Sequence, residues 1–109
     1  MKDNLKIVEE RLREGGIQPE QCANFRALLS GEYSFWAGQQ EDIIVRRAQN
    51  WPAMRLKHKS DTSTQREWEG TPDGVNSVGI EIKLKRIEKM MSGLSSLLKL
   101  AEGQARNQF

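Results

Sequence analysis

One cysteine, one histidine, one tyrosine and three prolines among 109 residues leave little for chemistry. Cys22 has no second thiol to pair with, which fits a reducing compartment. Cys22 and His58, the lone histidine, are too few for a zinc site. Neither G-x-x-x-x-G-K-[ST] nor G-x-G-x-x-G occurs, so the glycine-rich loops that cradle phosphates are missing. No run of 18 apolar residues spans a bilayer. The opening MKDNLKIVEERL carries acids where a secretory signal needs an apolar stretch. These absences point to a cytoplasmic, non-membrane protein without metal or cofactor. They also point away from an enzyme, whose titratable groups must converge on a pocket.

Apolar bulk is scarce as well. Leu, Ile, Val and Phe number 24 of 109, close to the level at which chains stop folding. A monomer this size buries roughly 65% of its unfolded surface. Oligomerisation is therefore expected.

Gly, Pro and capping residues divide the chain into helices. The first is expected over Asp3 to Glu14, with Leu5, Val8 and Leu12 on one face and Gly15-Gly16 closing it. Pro19 suits the first turn of a second helix, carrying Cys22, Phe25, Leu28 and Leu29 and ending near Gly31. Cys22, Phe35 and Trp36 read as core. A third helix is expected from about Tyr33, with a kink or restart at Pro52 and Asn50 as cap. Residues 57–70 are polar and read as a solvated helical end or a loop. Thr71-Pro72-Asp73 is a helix start: capping hydroxyl, first-turn proline, and an acid at the positive dipole end.

Beyond it, Ile80, Leu84, Ile87, Met91, Leu94, Leu98, Ala101 and Ala105 recur at alternating spacings of four and three. Such a 3.5-residue repeat is the seam of a coiled coil or bundle helix. Ile80, Leu84, Ile87, Met91, Leu94 and Leu98 are the residues expected to join subunits. Ile82, Met90, Leu97 and Leu100 widen the stripe beyond a two-stranded seam. A short strand over residues 78–84 is the weaker alternative, because the heptad phase runs through it. The expected fold is all-α, a single helical domain over 1–109. Short N-terminal helices (1–31) lead to two long helices packed as a hairpin, a kinked basic one (32–70) and an amphipathic one for assembly (71–109).

Charge is distributed unevenly. Between Asp42 and Asp61 lie Arg46, Arg47, Arg55, Lys57 and Lys59, with His58 and Trp51, and no acid. An acid-free window beside an aromatic suits a phosphate backbone with a stacked base. It equally suits a solvated helix face. Trp68 lies between Glu67 and Glu69, where a phosphate would be repelled, and reads as packing.

The order EER-L, GGIQPEQ, EYSFW and LKHK, followed by a long helix, resembles the UvsY recombination mediators of T4-type bacteriophages. The likeness covers roughly residues 8–60 and is carried by Tyr33-Ser34-Phe35-Trp36 and Leu56-Lys57-His58-Lys59. Lys59 stands where that family has arginine. The resemblance implies a single-stranded DNA-binding accessory protein that helps load a recombinase onto DNA covered by single-strand-binding protein. Arg46, Arg47, Trp51, Arg55, Lys57, His58 and Lys59 are the nucleic-acid candidates, with Lys57 and Lys59 first. The alternative is a small phage-type helical adaptor or inhibitor that binds a host protein and no nucleic acid. A helix-turn-helix regulator ranks lower, because Glu41 and Asp42 would lie on its recognition helix.

Overall fold

The computed structural model describes the backbone of residues 3–107 and the side chains of residues 3–103. It contains four helices: α1 (Asn4–Glu14), α2 (Pro19–Arg55), α3 (Asp61–Glu69) and α4 (Pro72–Asn107). No strand occurs among the described residues, and the 78–84 segment lies inside α4. The long helices α2 and α4 pack against each other. No described helix is long and apolar enough to cross a membrane.

Local chemistry accounts for the boundaries. Asp3 caps α1 by accepting the Lys6 N–H, and Gly15 and Gly16 leave the helix at φ 77° and 70°, where only glycine is unstrained. The Gln21 side chain accepts the Gln18 N–H at 3.2 Å just ahead of Pro19, one half of a capping box for α2. Ser60 caps α3 through the Ser63 N–H. The Thr71 hydroxyl accepts the Gly74 N–H at 3.1 Å and so starts α4 with Pro72 in its first turn.

Three helix boundaries differ from expectation. First, α2 does not stop near Gly31 but runs on through it. Cys22, Leu29, Trp36 and Ile43 recur every seven residues on one face, at least half-buried throughout. That packing outweighs the cost of about 1 kcal/mol for a helical glycine. Second, the helix neither restarts at Pro52 nor is capped by Asn50; it ends at Arg55. Proline removes one donor in the last turn, and Ala48, whose carbonyl loses it, is exposed to water. Third, the polar 57–70 stretch contains a capped helix, α3.

The chain forms two compact units, Met1–Ser34 with Lys85–Phe109, and Phe35–Leu84. The first unit packs α1, the start of α2 and the end of α4 around Leu5, Val8, Cys22, Leu29, Ile87, Met90 and Leu94, all buried. Arg86 ties α4 to Glu9 of α1 at 2.7 Å, and Asn4 of α1 donates to Glu32 of α2 at 2.9 Å. The second unit packs the rest of α2, α3 and the start of α4. Its buried side chains are Ile43 and Ile80 together with Thr64 and Ser77.

The heptad seam faces inward. Ile80, Ile87 and Leu94 are buried and Leu84, Met91 and Leu98 half-buried within one chain. Three of the six residues expected to join subunits, Ile80, Ile87 and Leu94, are thus core of the protomer, and Leu84, Met91 and Leu98 are partly covered within it. The Ala105 side chain lies outside the described residues. Phe35, expected in the core, is 57% exposed, its edge against Trp36.

Candidate nucleic-acid interface

The basic window occupies the last turns of α2 and the link to α3. Its lack of acids holds only along the sequence. Arg46 makes a two-pronged ion pair with Asp73 of α4, at 2.9 and 3.1 Å. This pair holds the Asp73 carboxyl below the ordinary carboxylate range and raises the Arg46 guanidinium, hydrogen bonding being the main cause in both. Arg55 pairs with Asp61 at 2.8 Å and donates to the carbonyl oxygens of His58 and Lys59, at 2.7 and 3.5 Å. It therefore closes the turn between α2 and α3. The His58 Nε2 lies 2.6 Å from a Glu67 carboxylate oxygen. Arg46, Arg55 and His58, three of the expected phosphate ligands, are instead structural partners of acids that α3 and α4 fold back onto the window.

Arg47 plays a further part. Its guanidinium lies 4.3 Å from the Trp51 ring centroid and 5.1 Å from that of Trp68. It also donates to the Gln65 side-chain oxygen. Cation–π contacts of this kind contribute about 0.5–2 kcal/mol each. Arg47 and its two indoles hold α3 against α2, which explains why Trp68 is half-buried despite its acidic neighbours.

Lys57 and Lys59 differ from the rest. Both are exposed, and neither has a partner among the described residues. An open cleft of about 510 Å³, whose lining starts at Asp61 just past Lys59 in the chain, is formed by Arg47 and Trp51 of α2 and by Asp61, Thr62, Gln65, Arg66 and Glu69 of α3. The α3 residues follow spacings of 1, 3, 1 and 3, one face of a helix. Arg66 is exposed and likewise unpartnered among the described residues. Thr62, Gln65, Arg66 and Glu69 are not among the expected candidates, because the polar stretch reads as a solvated helical end or a loop and not as a helix with a lining face. The signal was nonetheless present, in that periodicity and in the Ser60 cap. No cluster of three metal-binding side chains occurs among the described residues.

No family model, curated protein or solved structure matches the chain.

Proposed function

We propose that the chain binds single-stranded DNA at the α2–α3 corner, with Lys57, Lys59 and Arg66 on the phosphates. Following the resemblance to the UvsY mediators, it would act in a host-cell cytoplasm to help load a recombinase onto strands covered by single-strand-binding protein. The supporting observation is the pair of exposed lysines without carboxylate partners, on the link that leads into α3, together with the cleft along α3 that holds an indole and a free guanidinium. One such corner is a weak site. Several copies on one strand raise avidity by roughly 10²–10⁴, so homo-oligomerisation belongs to the proposal.

The reading has a quantitative test. Each phosphate contact contributes about −0.7 to the slope of log affinity against log salt for single strands. Three cations per site correspond to a slope near −2, whereas all six basic candidates of the window would approach −4. Anisotropy of a labelled strand at several salt concentrations measures it. Lys57→Ala with Lys59→Ala is expected to weaken binding about tenfold or more and to flatten the slope by about 1.4. Unchanged affinity and slope would overturn the assignment.

A helical protein-interaction module is the second reading, and one observation favours it. Val75, Val78 and Ile82 lie at i, i+3 and i+7 on α4 and are 60, 54 and 55% exposed. They occupy the face turned away from Ser77, Ile80 and Ile87. Self-association in this reading uses that exposed face. Light scattering on wild type and on Val78→Glu/Ile82→Glu tests this. Loss of a partner or an oligomer with DNA binding intact would favour this reading over the first.

A further inference from the structure

The cleft along α3 is not uniformly basic. Asp61 and Glu69 face it together with Arg66, and two carboxylates are a poor lining for a backbone phosphate. They are a good lining for the edge of a base that offers an amino group. The hydrogen-bonding capacity left over in the cleft is specific. Gln65 is engaged at both ends, its oxygen accepting from Arg47 and its amide donating to Glu69 at 3.2 Å. Asp61 gives one oxygen to Arg55, and Glu69 gives one to Gln65. Each carboxylate therefore has a second oxygen without a partner among the described residues. The Thr62 hydroxyl and the Arg66 guanidinium are also without partners there. The cleft thus offers free acceptors beside free donors, and the half-buried Trp51 supplies an aromatic wall.

Among pyrimidines, that pattern suits cytosine and opposes thymine. Cytosine presents an amino donor at N4 beside acceptors at N3 and O2. Carboxylates accept from N4, and a guanidinium or hydroxyl donates to N3 and O2. Thymine places the O4 acceptor where cytosine has its donor, facing a carboxylate, and adds a methyl group. We propose that the α3 face of this cleft seats a cytosine of the bound single strand, with Glu69 accepting from its amino group. Arg66 turns one edge of its guanidinium fork to the ring and keeps the other on the adjacent phosphate, while Lys57 and Lys59 hold the flanking phosphates. This rests on the single-strand reading above, and it replaces the sequence-blind binding expected of a purely basic patch with a preference for cytosine over thymine.

The experiment compares labelled oligo(dC) and oligo(dT) of about 16 nucleotides, a length within the range of single-strand sites. Both are tested against wild type and Glu69→Ala. Glu69 is exposed at the end of α3, so alanine there leaves the fold in place, which circular dichroism checks. Wild type is expected to prefer oligo(dC) by roughly fivefold or more. Removing a negative charge next to DNA ordinarily tightens every strand. Here Glu69→Ala is expected to leave oligo(dT) unchanged or tighter and to bring oligo(dC) down to the same level. Equal affinity of wild type for the two strands would overturn the cytosine seat while leaving single-strand binding standing. A preference that survives Glu69→Ala would overturn the role of Glu69, and with it the seat. Binding of neither strand at low salt would overturn both readings and direct the search to a protein partner.

Discussion

The two units of this chain are made from the same two long helices yet are held together by different physics. In the unit of residues 1–34 and 85–109, seven apolar side chains are buried, and Val8, Leu29, Ile87 and Leu94 are at 0% exposure. The Phe35–Leu84 unit buries only Ile43 and Ile80 as apolar side chains, alongside Thr64 and Ser77. Gln40 donates to Ser77 at 2.9 Å, but its buried side-chain oxygen has no partner among the described residues. Its remaining cohesion comes from ion pairs, the Arg47–tryptophan stack, and Lys83 lying 3.6 Å over the Trp36 ring. Burial of apolar area is non-directional and strong, whereas exposed ion pairs contribute little. Amide exchange along α2 and α4 is therefore expected to be slow up to Ser34 and beyond Lys85, and faster between them.

Mutations can break or sharpen that contrast. The largest effect is expected from Leu94→Ala in the apolar core, about 2–5 kcal/mol in urea denaturation. A loss below 1 kcal/mol would mean that this core is not what holds the first unit. Next is Gly74→Ala. A Cβ there would sit 2.1 Å from the Trp68 carbonyl oxygen and 2.8 Å from the Glu69 Cα. Both are backbone atoms that cannot swing aside. Destabilisation of roughly 2–3 kcal/mol is expected, as for other overpacked sites, with faster exchange confined to residues 35–84.

The third substitution runs the other way. Gln40→Met with Ser77→Ala removes the unsatisfied oxygen and its polar partner together, so the second unit is expected to gain about 1 kcal/mol and slower exchange. Destabilisation instead would show that the polar pair supports packing.

The smallest effect concerns pH. Asp73 is held below its unfolded value of about 3.9. Its contribution is therefore present above that value and is lost as pH falls through the lower folded one. Asp73→Asn is expected to remove the part of the acid-side decline in stability that arises below about pH 4. An acid titration of melting temperature that superimposes on wild type would contradict this.

Much of the fold was legible because caps and periodicity are local. Asp3, Gly15-Gly16, Pro19 and Thr71-Pro72 stand at helix boundaries as their chemistry requires. The all-α class and the long C-terminal helix follow from the repeat through Ile80, Ile87 and Leu94. Gly31 misled because its local cost is smaller than the packing of α2 through it, and Pro52 because in the last turn it leaves only the Ala48 carbonyl to water. The candidate site was legible only in part. Lys57 and Lys59 stand free in a basic window, but the remaining candidates do not. Asp61, Glu67 and Asp73 lie 6 to 27 residues away from the cations they meet.

By itself, the sequence determined the all-α class, the starts of α1, α2 and α4, and the apolar stripe of α4. Tertiary structure alone decided which charges remain available and which neighbours fill the seam. Capping and periodicity act within a turn or two of helix. Ion pairing and burial are settled between segments far apart in the chain, so a residue's charge can be read from its type but not its freedom to use it.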